Sequence, residues 1–283
     1  MSINIEEIVA LALREDIGTG DITARALVPS NAKASGRIVA RASGTLSGTE
    51  VAGAVFRSLD TGVEFSPAIE DGDQFQERDL LATVSGSAAA ILGGERVALN
   101  FLQQLSGVAT MARRFADRIR HTNARIADSR KTVPGLRVLQ KKAVVDGGGV
   151  NHRFSLADGV LIKRNYIMAA APDHGTVAAA VARARERSHH LVKVEIEVDS
   201  VDEMKAAIDA GADAVMLDNM SVAELTAAVA EARTLVGNRV LLEASGGVTL
   251  EDVVEIAETG VDIISIGKLT HSAPAIDMAL EIP

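Results

Sequence analysis

The spacing of hydrophobic positions changes several times along the chain, and the changes mark its parts. Near the start, Ile5, Ile8, Val9, Ala12 and Leu13 recur at helical spacing and predict an amphipathic helix that ends before EDIGTGDIT at 15–23. From Ala32 to Gly86 the pattern shortens to runs such as GRIVARA and LLATVSG, interrupted by Gly44, Gly48, Gly62 and Gly72, which predicts strands joined by turns. Between Glu95 and Arg120 helical texture returns, with Leu99, Leu102, Leu105, Val108, Ala112, Phe115 and Ile119 on roughly one face. Gly107, midway, predicts either a break or the close approach of another backbone.

From Arg125 onward, strand-like runs alternate with helices. The runs are RIAD (125–128), GVLIK (159–163), LVKVEIEV (191–198), AVMLD (214–218), VLLEAS (240–245) and IISIG (263–267), with room for another strand near Val138 to Val145. Helix starts are marked by capping-box spacing at Ser200/Glu203 and Ser221/Glu224, with a near variant at Thr249/Asp252, and stops by Gly211, Gly237 and Gly260. Strands alternating with helices require crossovers and a parallel sheet, and the number and regularity of the runs favour closure toward an (α/β) barrel over a doubly wound sheet.

A chain of 283 residues is long enough for a barrel with a smaller partner domain. With 47% apolar residues but only 2% aromatics, the core must be aliphatic and Ala-rich. The absence of cysteine removes disulfides, thiolate metal sites and Cys nucleophiles together. The acidic, amphipathic start and the lack of any apolar run of about 18 residues lead us to expect a soluble, cytoplasmic protein without a membrane partner. A formal net charge of -9 argues against a general nucleic-acid surface.

Against that acidic background, the stretch from Arg130 to Arg164 carries eight Arg or Lys residues and two acids, Asp146 and Asp158. A solvated basic face and a pocket for a small anion both fit that composition. The pocket is favoured because Arg130, Lys131 and Lys163 sit at predicted strand ends, Gly147–Gly149 precede Asn151-His152-Arg153, and planar Arg forks suited to carboxylates mix with Lys suited to phosphates. In a barrel, ligands meet the carboxyl ends of the strands. There the sequence places Arg130, Lys131, Lys163, Glu197, Asp218, Ser245 and Gly267, a set suited to a phosphorylated anion with a hard divalent cation. Glu197 and Asp218 offer oxygen ligands of the kind Mg²⁺ accepts, although salt bridges to nearby cations would also account for them. The turn SGGVT (245–249) is expected to open directly into a capped helix, with the backbone N–H groups of Gly246 and Gly247 facing a phosphate. Gly147–Gly149 lack dinucleotide-loop and P-loop spacing and are read as backbone freedom that delivers His152 and Arg153.

These motifs, taken together, resemble the quinolinate phosphoribosyltransferase family, also called carboxylating nicotinate-nucleotide pyrophosphorylases. The resemblance is carried by EDIGTGDIT, ERVALNFLQQLSG (95–107), DSRKTVPGLR (128–137), GGGVNHR (147–153), VLIK (160–163), VEIEV (194–198), MLDNM (216–220), EASGGV (243–248) and ISIGKLTHS (264–272). It implies an N-terminal α/β sandwich domain (1–107, joined by the C-terminal segment 272–283) and an incomplete (α/β) TIM-like barrel (108–271). It also implies a homodimer with shared active sites, Mg²⁺ as cofactor, and conversion of quinolinate and phosphoribosyl pyrophosphate to nicotinate mononucleotide, pyrophosphate and CO2 in NAD biosynthesis.

By the same resemblance, Arg130, Arg153 and Lys163 grip the two quinolinate carboxylates with His152 beside them, and Arg96 comes from the neighbouring subunit. Lys131 meets phosphoribosyl pyrophosphate, Glu197 and Asp218 its ribose hydroxyls and Mg²⁺, and Ser245, Gly246, Gly247 and Gly267 its 5′-phosphate, with His271 nearby. Two departures stand out. Arg164 and Tyr166 replace the family's usual Asp and His after Lys163, and Ser129 replaces Thr before the Arg-Lys pair. For Arg164 a phosphate contact, a local ion pair and altered base specificity all remain open. Two alternative functions also stand: a paralogous pyrophosphorylase of the molybdenum-transport-associated type acting on another base, and a non-catalytic anion-binding barrel.

Overall fold

A computed structural model of the chain describes residues 4–170 and 175–283. In chain order the elements are α1 (Ile5–Ile17), α2 (Ile22–Leu27), β1 (Lys33–Ala40), β2 (Gly44–Thr45), α3 (Thr49–Leu59), β3 (Glu64–Pro67), β4 (Gln74–Phe75), β5 (Leu80–Ser87) and α4 (Ala88–Ile119). They continue with β6 (Arg125–Ala127), α5 (Arg137–Asp146), β7 (Val160–Ile162), α6 (Arg164–Ala170), α7 (Val177–Arg187), β8 (Val194–Val198), α8 (Val201–Asp209) and β9 (Ala214–Asp218). The last are α9 (Val222–Val236), β10 (Leu241–Ser245), α10 (Val253–Glu258), β11 (Ile263–Ser265), α11 (Lys268–His271) and β12 (Met278–Glu281). The described chain divides into two compact units. The first holds the chain up to Arg113 with Lys131–Gly148 and Lys268–Pro283; the second holds Arg114–Arg130 and Gly149–Gly267.

The first unit is built on an antiparallel sheet in the order β12-β1-β5-β3, beside a small β2-β4 pair. Burial of Phe56, Phe75, Ile38, Leu46, Leu81, Ile91, Leu99 and Leu102 makes its core, and each such side chain stabilises by about 1.5–3 kcal/mol. Helix α4 runs unbroken through Gly107, where a Cβ would lie 2.1 Å from the Pro274 carbonyl oxygen; close backbone approach, not a break, explains that glycine. The strand anticipated near Val138 to Val145 is instead α5. Its buried residues are Leu139, Gln140, Lys141, Ala143 and Val144, and the pairs 139/143 and 140/144 follow the helical i, i+4 period, which outweighed the local β-branched residues.

In this unit Lys142 Nζ bridges Asp71 Oδ2 at 2.8 Å and Asp146 Oδ2 at 2.8 Å, and Ser47 Oγ donates to the same Asp146 oxygen at 2.7 Å. Burial alone would raise the Asp71 pKa, but the Lys142 contact and the backbone N–H groups of Thr49 and Gly48 overcome it and hold the carboxyl below its ordinary value. Burial pulls the Lys142 ammonium down in turn, and the two aspartates more than compensate, raising it.

The second unit is a six-stranded parallel sheet in the order β6-β11-β10-β9-β8-β7. Strands β7 to β11 follow one another singly, and β6, first in the chain, lies beside β11, the last. That is the winding of a barrel left incomplete between β6 and β7, where a parallel bridge from Ala127 to Val150 is recorded. Helices α8 and α9 start on Ser200 and Ser221, whose side chains accept from the backbone N–H groups of Glu203 and Glu224; at α9 Glu224 completes the capping box.

Candidate active site

Side chains alternate across a strand, so the parallel register divides the barrel sheet into two faces. On β8, Val194, Ile196 and Val198 are buried, whereas Glu195 and Glu197 share the opposite face. In register with them, that second face carries Leu161 on β7, Met216 and Asp218 on β9, Glu243 and Ser245 on β10, and Ser265 on β11. Lys163, two residues past Leu161, continues the same row and meets Glu197 side chain to side chain. One face of the sheet is thus aliphatic and the other polar, with its polar groups concentrated toward the carboxyl ends.

At that end Glu197 and Asp218 lie on neighbouring strands. Burial, and then the charge of Glu197, raise the Asp218 carboxyl pKa, while the amide of Asn219, 2.6 Å from Oδ2, and Lys163 lower it less effectively. Two carboxylates that repel one another at a strand-end rim are a donor set for a hard cation, so the residues fit Mg²⁺.

The same unit brings two guanidinium groups together. Arg153 has its pKa lowered, first by burial and then by the positive charge of Arg130. Its Nη1 donates to the Gly159 carbonyl at 2.9 Å, which fixes the fork. Like charges held together in a folded protein cost stability, and an anionic ligand would turn that cost into binding.

His152 adjoins Arg153 within the barrel unit. Its Nε2 faces inward, 3.2 Å from Glu195 Oε2 and 3.5 Å from Glu243 Oε2, and its backbone N–H donates to Asp128 Oδ1 at 2.9 Å. The three side chains are among the least exposed polar groups of the unit, at 13% for His152 and Glu195 and 3% for Glu243. Contact with Glu195, then with Glu243, raises the imidazole pKa against the opposing pull of burial, and burial raises that of Glu195 in turn. The N–H of Arg153 donates to Nδ1 at 2.8 Å. A ring that accepts there presents its N–H at Nε2 to the two carboxylates. Neither Glu195 nor Glu243 is among the residues singled out from the sequence, although each lies two positions before one that is, Glu197 and Ser245, and so on the same face.

Beyond β10, Gly246 has φ 104° and a Cβ there would lie 2.2 Å from Asn219 Oδ1; at Gly247, with φ 62°, a Cβ would meet nothing within 4 Å. The turn does not open directly into a helix. Helix α10 begins only at Val253, because Asp252 Oδ1 accepts the Thr249 N–H and holds 249–252 as a turn. Any anion here would meet the turn's own amides, not a helix terminus.

Arg164 is accounted for by a local ion pair: its Nη1 and Nη2 each lie 3.0 Å from a Glu203 carboxylate oxygen, and Nη2 also pairs with Asp199. Tyr166 is exposed. Ser129 and Gly267 belong to the barrel unit, whereas Arg96, Lys131 and His271, all exposed, belong to the first unit.

An incomplete α/β barrel whose strand ends gather paired guanidiniums, a lysine and two mutually repelling carboxylates defines a protein that binds a small polyanion, with an antiparallel α/β unit attached. Comparison with known proteins narrows this class. The family model described as quinolinate phosphoribosyl transferase, N-terminal domain, matches residues 21–106, and the C-terminal domain model matches 108–281. The chain belongs to the quinolinate phosphoribosyl transferase family. It is 40% identical to a probable carboxylating nicotinate-nucleotide pyrophosphorylase of Bacillus subtilis over 95% of this chain and 90% of that protein. It is 39% identical to the carboxylating nicotinate-nucleotide pyrophosphorylase of Mycobacterium leprae, covering 96% and 94%. Among solved structures, the nicotinate-nucleotide pyrophosphorylase of Francisella tularensis superposes with a TM-score of 0.90 at 37% identity, covering 99% of this chain and 96% of that one. That of Ehrlichia chaffeensis superposes with a TM-score of 0.90 at 36% identity, covering 100% of both.

Proposed function

We propose that the protein transfers the phosphoribosyl group of phosphoribosyl pyrophosphate to the pyridine nitrogen of quinolinate, yielding nicotinate mononucleotide, pyrophosphate and CO2 in NAD biosynthesis. The observation that carries this reading is the pair Arg130 and Arg153, close enough that the charge of one depresses the pKa of the other, with Lys163 at the end of a strand of the same sheet. Such a convergence suits a small dicarboxylate. Arg130, Arg153 and Lys163 grip the two carboxylates, and Ser129 flanks them. Lys131, next in the chain to Arg130, meets phosphoribosyl pyrophosphate.

In the first step a bond forms from the pyridine nitrogen lone pair to the anomeric carbon, and the bond from that carbon to the pyrophosphate oxygen breaks. No base is needed, since the nitrogen carries no proton; alignment and charge supply the acceleration. Glu197 and Asp218 would hold Mg²⁺ and meet the ribose hydroxyls, and Mg²⁺ when bound would neutralise charge on the leaving pyrophosphate. Ser245, Gly246, Gly247 and Gly267 receive the 5′-phosphate, with His271 as a neighbour. In the second step the bond to the 2-carboxylate breaks, its electron pair is stabilised by the adjacent pyridinium, and the ring carbon takes up a proton.

We infer a homodimer in which Arg96 of the partner subunit completes each site. A cytoplasmic location suits soluble, highly charged substrates, and no helix among the described residues is long and apolar enough to cross a membrane. The test is purified protein with phosphoribosyl pyrophosphate, Mg²⁺ and either quinolinate or nicotinate, following CO2 and nicotinate mononucleotide. CO2 release with quinolinate alone supports the proposal. Turnover of a different base alone would replace it with the paralogue reading, and ligand binding without pyrophosphate release would replace it with a non-catalytic barrel.

A further inference from the structure

Two glutamates inside a barrel need a reason. Glu195 on β8 and Glu243 on β10 point to the polar face of the sheet, and the Glu243 side chain is 3% exposed. Charges so placed persist only when paired. Both converge on one atom, Nε2 of His152, and no other group of three His, Asp or Glu side chains among the described residues comes together so closely.

A divalent cation is the obvious alternative occupant, since one imidazole and two carboxylates are a common ligand set. The contact at the other ring nitrogen argues against it. Nδ1 accepts the Arg153 N–H at 2.8 Å, which leaves the ring proton on Nε2 and no lone pair there for a metal.

The same contact suggests what the cluster is for. The imidazole is bound on one side to two strands of the barrel and on the other to the backbone of the next residue, while the backbone N–H of His152 donates to Asp128 at the end of β6. The segment from Asn151 to Arg153 is thereby tied to β6, β8 and β10 at once. Arg153 leaves this segment with its backbone N–H fixed and its guanidinium held by Gly159, beside Arg130.

We propose that Glu195 and Glu243 are positioning residues which, acting through His152, fix the direction in which Arg153 meets the carboxylates of its substrate. This rests on the quinolinate reading above. It assigns His152 to orientation instead of direct contact with substrate, because both ring nitrogens are engaged within the protein. A group that positions one side chain by locking a neighbouring backbone affects the ligand that side chain binds and leaves the other ligand alone.

The experiment is isothermal titration of the intact protein, wild type and Glu243→Leu, with quinolinate and separately with phosphoribosyl pyrophosphate and Mg²⁺. Leucine fills the buried volume and removes the acceptor. Quinolinate binding is expected to weaken at least 10-fold while phosphoribosyl pyrophosphate binding moves less than 3-fold, with Glu243→Gln restoring most of the loss because its amide oxygen still accepts from Nε2. Quinolinate affinity within 2-fold of wild type in folded Glu243→Leu overturns the proposal, as does an equal loss for both ligands. If Glu243→Leu does not fold, Glu195→Leu, which likewise removes an acceptor from Nε2 at a less buried position, decides by the same split, with a loss of 3-fold or more confined to quinolinate in support and an unchanged affinity against. Wild-type protein that binds no quinolinate would overturn the functional reading itself, an outcome distinct from wild-type binding that the variants leave intact.

Discussion

Removing the guanidinium of Arg153 should damage quinolinate use severely and leave folding untouched. A planar fork can make two charge-assisted hydrogen bonds to a carboxylate, each contributing roughly 1.5–3 kcal/mol, or about 3–6 kcal/mol together. From this must be subtracted the relief of repulsion with Arg130, which in this partly exposed setting is of order 1 kcal/mol. The net loss for Arg153→Ala is therefore about 2–5 kcal/mol, or roughly 30- to 5,000-fold in kcat/KM for quinolinate. Arg153→Lys keeps the charge but cannot donate to Gly159 and to a carboxylate in the same geometry, and should fall between wild type and alanine. Initial rates of CO2 release, with each substrate varied in turn, measure the effect. Thermal unfolding gives the other half, because losing one hydrogen bond to Gly159 is offset by losing a like-charge neighbour, and Tm should change little. A kcat/KM for quinolinate within 3-fold of wild type, or a KM for phosphoribosyl pyrophosphate that rises as much as that for quinolinate, would refute the reasoning.

Lys142→Met strands Asp71 and Asp146 without their cation; discounted for the half-exposed lysine, the loss is about 1–3 kcal/mol at pH 7, readable in urea unfolding. Because the folded pKa of Asp71 is lowered, its contribution is present above its unfolded value near 3.9 and lost as pH falls through the folded one; that of Lys142, whose folded pKa is raised, is present below about 10.4 and lost as pH climbs through the folded value. The gap between wild type and variant should accordingly narrow below about pH 4. Gly107→Ala drives a Cβ to 2.1 Å from the Pro274 oxygen and should cost about 1–3 kcal/mol by the same measurement. Glu197→Gln should raise the Mg²⁺ concentration for half-maximal activity at least several-fold with little change in Tm. Arg96→Ala and Lys131→Ala, each inactive alone, should regain partial activity when mixed under conditions that exchange subunits; no recovery there would remove the shared site.

Much of the barrel was legible because a parallel strand announces itself by short β-branched runs ending at polar residues. AVMLD coincides with β9, VLLEAS overlaps β10, and VEIEV forms all of β8. Capping chemistry was equally plain at Ser221. The stretch from Val138 to Val145 was misread since a short apolar run does not distinguish strand from buried helix; only the four-residue spacing of Leu139 and Ala143 hints at the 3.6-residue period. The Thr249 start failed for a similar reason, because an Asp three residues on serves a turn as well as a cap. Strand-end cations and acids were found by looking for the ends of runs, a search that by construction passes over Glu195 and Glu243, which lie inside them. Asking which residues share a face with Glu197 and Ser245 would have recovered both. The pairing of Arg164 with Asp199 and Glu203 required three-dimensional proximity across 39 residues of chain, which one sequence does not supply.

The contact between Lys163 and Glu197 joins two groups that the proposed reaction sends to different ligands, one to a carboxylate of the base and the other to the sugar and its cation. Whichever ligand arrives first must separate them, and the second then finds its protein partner already released. Thermodynamic reciprocity makes that assistance mutual and equal in size, so the two substrates should bind more tightly together than apart, whatever the order of addition.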